Sequence, residues 1–283
     1  MTEDIGSWLR AARTLLADVS PRPGPEAELL LARALGRDRS WLIAHRDEPM
    51  DADSHARAAA WLERRRRGEP LAYIAGVREF WSLPLAVSPA VLIPRPETET
   101  LVQRALDLIP EGEERRVLEL GTGSGAIAIS IARERPCAEV VATDVSVGAL
   151  AVAQENAQRL APGRIRFLES DWFTDLGEER FDIIVSNPPY VARDDAALAD
   201  AAIRYEPALA LAAGVDGLDA IRRIASGLPR HLAPGGRVLI EHGAMQAAGV
   251  AGILRSHGLA SIACRQDLAG NDRVTEARLP GAD

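Results

Sequence analysis

Lysine is missing from this 283-residue chain; apart from histidine, every basic side chain is arginine. Coding bias produces such a pattern, so no arginine-specific chemistry is read into it. Cysteine is nearly missing as well. Cys137 and Cys264 have no metal-ligand spacing and offer no disulfide framework. Neither lies near a His-Glu pattern, so no metal is expected, and both are read as buried free thiols in a reducing cytoplasm. His45, His55, His231 and His257 show no ligand spacing either. No apolar run approaches the length of a membrane span, so no membrane partner is expected. The opening residues, Met1-Thr2-Glu3-Asp4, lack the basic and apolar segments of a signal peptide. Positive charge is in deficit: the net charge is −8. That disfavours a large non-specific nucleic-acid surface, and no direct nucleic-acid partner is expected. Internal repeats and low-complexity tracts are absent.

Apolar content of 47% and charged content of 26% are those of an ordinary globular protein long enough for two domains. Over residues 4–19, Ile5, Trp8, Leu9, Ala12, Leu15, Leu16 and Val19 fall on one helical face. The proline-rich stretch Ser20 to Pro25 breaks that helix. A second helix runs from Glu26 to Leu35 and stops at Gly36. Ser40 is read as the cap of a short helix through Ala44, and Asp53 as the start of another ending in Arg64 to Arg67. Those four arginines could bind RNA or an acidic partner. Solvated cations at the negative end of a helix dipole are the preferred reading. Residues 1–75 are therefore expected to form a small helical bundle.

From Val77 the pattern changes. Phe80 to Val87 and Val91 to Ile93 look like a hairpin around Ser88-Pro89, which makes residues 76–93 a β-hairpin linker. A helix is expected from Glu99 to Leu108. From Val117 onward strands and helices alternate. This predicts an α/β domain over residues 94–283, with a mostly parallel sheet covered on both faces. Its last two strands, near Ala260–Arg265 and Arg273–Leu279, can pair antiparallel.

Two motifs carry chemistry. The strand Arg116 to Leu120 runs into Gly121-Thr122-Gly123-Ser124-Gly125 and then a helix beginning at Ala126. Strand, glycine loop and helix open a nucleotide-binding unit. Glu119, two residues before Gly121, and Ala126, three after Gly123 where the fingerprint places its last glycine, depart from the dinucleotide fingerprint. The spacing suits S-adenosylmethionine, with Glu119 near its cationic amino acid end; on the loop alone NAD stays open. Asp144 ends the next strand, where an acid accepts from ribose hydroxyls; a helix N-cap is its bland reading. Asp171 can accept from an adenine amine, and Trp172 can cover the ring.

The second motif is Asn187-Pro188-Pro189-Tyr190, which closes the strand Phe181 to Ser186. Its prolines fix φ and remove two backbone donors. The acceptors that remain, the Asn187 side-chain oxygen and the Pro188 carbonyl, can grip both hydrogens of a planar NH2 group. Tyr190 offers an aromatic face to that group. Arg95 and Glu97, in a proline-restricted loop, could wall a substrate pocket or pair with each other. His242 could be a base but is read as a satisfied structural histidine.

The chain resembles the release factor glutamine methyltransferases, also called HemK proteins. The resemblance spans Arg65 to Ile74, Leu92 to Glu99, Glu119 to Gly125, Asp171 to Phe173, Asn187 to Tyr190, Glu241 to Gly243 and Asp267 to Arg273. It implies a class I methyltransferase, Rossmann-like, with an antiparallel last strand and a helical N-terminal domain that helps hold the substrate. It implies methyl transfer from S-adenosylmethionine, leaving S-adenosylhomocysteine, to N5 of the glutamine in the Gly-Gly-Gln tip of class 1 peptide chain release factors. By the same resemblance Gly121, Thr122, Gly123, Gly125, Asp144, Trp172 and Asn187 contact the cofactor, and Asn187 to Tyr190 hold the glutamine. A monomer is expected. Other classes stay in view: an adenine-N6 methyltransferase on DNA or RNA, an enzyme acting on a glutamine of another translation protein, and a cofactor-sensing module without catalysis. No general base stands out beside the turn, so the proton is expected to leave late, to water.

Overall fold

The computed structural model describes residues 3–195, 203–211 and 213–281. Met1 and Thr2, used above in reading the N-terminus, lie outside them. The chain divides into two compact units, residues 1–76 and 77–283.

The first unit holds five helices: α1 (Ile5–Leu16), α2 (Pro23–Leu35), α3 (Arg39–Ala44), α4 (Ala52–Arg66) and α5 (Leu71–Ala75). Aspartates start three of them. Asp4, Asp38 and Asp51 each accept from the backbone N–H three residues on. Asp38 and Asp51 thus replace Ser40 and Asp53 as the helix starters, because their carboxylates reach an otherwise orphaned donor. Helix α2 begins at Pro23, ahead of the expected Glu26, since proline is tolerated in a first turn. Gly36 ends it at φ 63. Ile5, Trp8, Ala12 and Leu16 of α1 are buried, whereas Leu15 and Val19 face solvent. The buried stripe is narrower than the sequence pattern implied. The arginine run is used within the unit. Arg65 reaches Glu26 and the Val19 carbonyl, Arg64 pairs with Glu69, and Arg66 and Arg67 pair with Glu63.

The second unit opens with a hairpin, β1 (Val77–Phe80) and β2 (Leu83–Ala86). Its turn is Trp81-Ser82, not Ser88-Pro89. Phe80 pairs with Leu83, and both turn residues have positive φ, 50 and 58. Such a turn usually advertises itself by Asn-Gly; Trp-Ser carries no such signal. Glu99 secures it by accepting from the Trp81 N–H at 2.9 Å. Asn156, fully buried, joins the hairpin to the glycine loop: its amide nitrogen donates to the Ala86 and Ser124 carbonyls, and its oxygen accepts from the Ala86 N–H.

A 3-10 turn (Pro96–Thr98) and α6 (Glu99–Leu108) lead to the alternating part. It runs β3 (Arg116–Leu120), α7 (Ala126–Glu134), β4 (Glu139–Asp144), α8 (Val147–Leu160), β5 (Ile165–Glu169), β6 (Phe181–Ser186), α9 (Asp219–His231), β7 (Leu232–Glu241), α10 (Ala247–Ser256), β8 (Ala260–Gln266) and β9 (Asp272–Arg278). The sheet order is β5-β4-β3-β6-β7-β9-β8. Five strands are parallel, and β9 inserts antiparallel between β7 and β8. Alternate strand residues feed two cores. Val117, Val140 and Val185 meet Leu101, Ile127 and Ile129 on one face. Leu118, Ile184 and Val238 meet Ile221, Leu228 and Leu254 on the other. Burial on both faces explains why these strands read as continuous apolar runs. The chain builds outward from β3 to β5, then returns beside β3 to make β6. That reversal opens a crevice at the carboxyl ends of the central strands.

Cys137 and Cys264 are exposed, contrary to the expectation of buried thiols. Cys137 lies in the loop before β4 and Cys264 on the edge strand β8, where little covers a side chain. Among the described residues no helix is long and apolar enough to cross a membrane.

Candidate active site

The crevice holds a cavity of about 460 Å³ lined from the ends of β3, β4, β5 and β6, within the ~300–1,000 Å³ range of small-molecule sites. Gly121 and Thr122 both donate to the Thr143 carbonyl at 2.9 Å, which pins the glycine loop across β4. Gly121 has φ 73, and a Cβ there would lie 3.7 Å from the Trp172 ring. Gly121, Thr122 and Gly123 line the cavity; Gly125 does not. A Cβ on Gly125 would come within 2.9 Å of Ile129 and 3.2 Å of Ala153. Gly125 thus serves the packing of α7 against α8 rather than the cavity wall.

Glu119 lines the cavity yet is only 1% exposed. Its Oε2 accepts from Thr122 Oγ1 at 2.7 Å and from the Ala128 N–H at 2.9 Å. Burial outweighs these donors and pushes its pKa up to about 8. Asp144, half-buried, accepts from the Gly123 N–H through Oδ2 and from the Ser146 N–H through Oδ1, both at 2.9 Å. Burial raises its pKa too, against those backbone donors. The N-cap of α8 is Ser146, not Asp144. Both Asp144 oxygens keep lone pairs for a ligand hydroxyl.

Asp171 and Trp172 line the cavity beyond β5. Asp171 pairs with Arg223 of α9 at 2.6 Å. Trp172 has φ 56 and is held there by Ser170, whose hydroxyl donates to the Trp172 carbonyl at 3.0 Å. That conformation costs a non-glycine residue about 1–3 kcal/mol, a strain that gathers at ligand sites.

Asn187 and Pro189 line the cavity; Pro188 and Tyr190 do not. The Asn187 amide nitrogen donates to Thr98 Oγ1 at 3.1 Å, its one side-chain bond among the described residues, so Oδ1 is an open acceptor. Tyr190 turns away: its hydroxyl reaches Glu241 Oε1 at 3.4 Å, and its carbonyl accepts from Gln246 at 3.0 Å. Arg95 is on the wall and grips both Glu206 oxygens, at 2.7 and 2.8 Å. Glu97 is exposed and off the wall, so the alternative of an Arg95–Glu97 pair does not form. Glu206, far along the chain and 1% exposed at its side chain, is the better-desolvated partner. His242 is fully buried between the Gly243 carbonyl and the Thr275 hydroxyl, a satisfied structural histidine whose pKa burial lowers.

Sequence reasoning did not single out Thr98, Arg223, Leu209 or the Ala213-Gly214 segment, which also line the cavity. Only Thr98 had a signal, through its motif. The others come from the chain beyond β6, whose approach no local pattern announces. Among the described residues no three His, Cys, Asp or Glu side chains gather to hold a metal ion.

Sheet order, strand-end cavity and glycine loop define a class I methyltransferase. Residues 7–76 match the family described as the PrmC N-terminal domain, and residues 98–208 the methyltransferase small domain. The chain is 50% identical over 256 residues to a release factor glutamine methyltransferase of Xylella fastidiosa strain Temecula1, spanning 90% of this chain and 93% of that one. It is 50% identical over 272 residues to a protein of the same name from Burkholderia pseudomallei, spanning 94% and 95%. A solved methyltransferase from Pyrococcus furiosus shares the fold, with a TM-score of 0.55 at 20% identity over 78% of this chain and 99% of that one. The chain belongs to the release factor glutamine methyltransferases.

Proposed function

We propose that this chain transfers a methyl group from S-adenosylmethionine to the N5 amide nitrogen of a glutamine in a peptide chain release factor, at the Gly-Gly-Gln tip of class 1 factors. One observation carries the reading: the glycine loop, Asp144 and Asn187 border the same cavity. The residues fit the cofactor. The positive φ of Gly121 and its closeness to Trp172 leave a cradle that a side chain would spoil, and the carboxylates of Glu119 and Asp144 with the loop amides offer the partners that ribose hydroxyls and a cationic amino acid end require.

In this reading Asp144 holds the ribose hydroxyls, Trp172 covers the adenine, and Glu119 answers the cationic amino acid end. Asp171, shared with Arg223, borders the adenine. S-adenosylmethionine, when bound, supplies a methyl carbon already activated by its sulfonium. A primary amide nitrogen is a poor nucleophile, so the chain's own task is to aim it. Asn187 Oδ1 takes one N–H, and the Pro188 carbonyl, which is off the cavity wall, takes the other as the glutamine seats against the turn. Orientation of this kind supplies roughly 7–11 kcal/mol in favourable cases. The same oxygens stabilise the nitrogen as positive charge develops, and the proton leaves late, to water. Arg95, fixed by Glu206, borders the substrate side, and the helical unit contributes a second protein-binding surface. A cytoplasmic, monomeric enzyme belongs to this reading.

An adenine amine would suit the same pair of acceptors, against which the net charge of −8 weighs. Labelled S-adenosylmethionine decides between them. It is offered with a release factor, with that factor after replacement of its tip glutamine, and with duplex DNA. Label on the intact factor alone supports the proposal; label on DNA alone overturns it.

A further inference from the structure

The prolines of the Asn187–Tyr190 turn have no N–H, so the ladder that fixes β6 cannot continue through them. At its entry the turn is held by the sheet: Ser186 pairs with Leu120 and Ile240, and its hydroxyl donates to the Leu120 carbonyl at 2.8 Å. At its exit the hold comes from Gln246, the N-cap of α10. The Gln246 amide nitrogen donates to the Tyr190 carbonyl at 3.0 Å and to the Asp216 carbonyl at 3.2 Å, while its Oε1 accepts from the Gly243 N–H at 2.8 Å. Two carbonyls and one N–H admit a single amide orientation; the opposite one would set oxygen against oxygen and donor against donor. Two glycines leave room for this side chain. A Cβ on Gly217, φ 75, would overlap the Tyr190 carbonyl oxygen and lie 2.7 Å from Gln246 Nε2, and one on Gly243 would lie 3.0 Å from Oε1. Just past Tyr190 the hold continues: Val191 donates to the Leu211 carbonyl and accepts from the Ala213 N–H, both at 3.0 Å.

We infer that Gln246 is a positioning residue for methyl transfer: its amide clamps the carbonyl end of the Asn187–Tyr190 turn, so that the acceptors of Asn187 and Pro188 meet a substrate NH2 group in one fixed arrangement. The inference rests on the methyl-transfer reading of the cavity only for its catalytic consequence; the clamp belongs to the unliganded chain. Two fixed proline φ angles make the turn stiff, so a shift at Tyr190 is carried back to Pro188 rather than absorbed on the way. Gln246 does not line the cavity. Among the described residues its side-chain bonds go to Tyr190, Asp216 and Gly243, and none reaches the glycine loop, Asp144 or Trp172. Its loss should therefore reach the chemical step and leave the cofactor in place.

The test begins without substrate. Tyr190-Val191 is the one Tyr-Val pair in the sequence. Isotope labelling of tyrosine carbonyl carbons and valine nitrogens therefore gives a single carbonyl–nitrogen NMR correlation, which reports on the Tyr190 carbonyl. Gln246→Met keeps the bulk of the side chain and removes the amide. Gln246→Glu keeps an acceptor for the Gly243 N–H and removes only the donor. In both variants the correlation should move from its wild-type position; an unmoved correlation in the folded variants overturns the clamp. Single-turnover kinetics with saturating S-adenosylmethionine and release factor supply the consequence. Both variants should lose about 100-fold in rate, the loss that a misplacement of about 1 Å can cause, while cofactor affinity and KM for the release factor stay within a few-fold. Equal losses in rate and cofactor affinity would make Gln246 a merely structural residue and overturn the inference, as would a rate within a few-fold of wild type. If Gln246→Met does not fold, Gln246→Glu, which keeps the Gly243 bond, decides alone. A moved correlation in a chain whose wild type methylates no release factor would sink the proposed function and leave the clamp standing.

Discussion

Glu119→Gln should remove a loss of stability that the wild-type chain suffers as pH rises. Glu119 lies 1% exposed beneath the glycine loop, and burial lifts its pKa from 4.5 to about 8. The folded chain therefore holds this proton more tightly than the unfolded chain does. Its contribution is whole below pH 4.5 and is lost as pH climbs through 8. At pH 7 the loss amounts to on the order of 3 kcal/mol, from about 1.4 kcal/mol per pH unit above the unfolded value. Glutamine keeps an oxygen for Thr122 Oγ1 and the Ala128 N–H, the two donors Glu119 now satisfies, and it does not titrate. Urea unfolding of both proteins across this pH range isolates the effect. Asp144 and Glu241 also have raised pKa values, but they are common to both chains and cancel in the difference. Equal pH slopes would mean that Glu119 ionises freely in the folded state, and the burial argument would fall.

Cofactor binding near neutral pH should release a proton from Glu119, because a nearby cation favours its charged form; calorimetric heats that do not depend on the buffer's own protonation enthalpy would contradict this. Asn187→Ala should remove most turnover while cofactor affinity stays within a few-fold, measured by single-turnover kinetics and titration calorimetry; an equal loss in both would reject its role as the amine clamp. Asp144→Ala should weaken cofactor binding about 10- to 100-fold, at the ~1.5–3 kcal/mol typical of hydrogen bonds to a charged group, and unchanged affinity would reject the ribose assignment. Gly125→Ala should cost roughly 2–4 kcal/mol of unfolding free energy, from its left-handed backbone and the crowding at Ile129 and Ala153; a loss below about 1 kcal/mol, the size expected of a relaxed site, would mean that α7 and α8 part easily.

The alternating part of the chain was legible because its signals are local. Apolar runs bounded by glycine mark doubly buried strands, and β3, the end of β4 and β6 fall where the pattern put them. Helix starts were less legible: Asp38 and Ser40 carry the same kind of cap oxygen, and only the backbone path decides which reaches an N–H. The Trp81-Ser82 turn was hidden, since neither residue favours the positive φ it adopts. Exposure misled at Cys137 and Cys264 because residue type records an average, while position at a loop or sheet edge decides the case.

The amino-acid order by itself determined the glycine loop, the acids that end successive strands, and the rigid Asn187-to-Tyr190 corner. Each is a short-range pattern whose backbone requirement few other residues meet. Tertiary structure alone decided which way that corner's groups point. It set Thr98 under Asn187, Glu241 behind Tyr190, and Glu206 rather than Glu97 against Arg95. Those partners are remote in the chain and become neighbours only when β6, β7 and the loop before α6 converge. Burial and hydrogen-bond direction, the properties that set a carboxylate's charge and an amide's facing, exist only after that convergence.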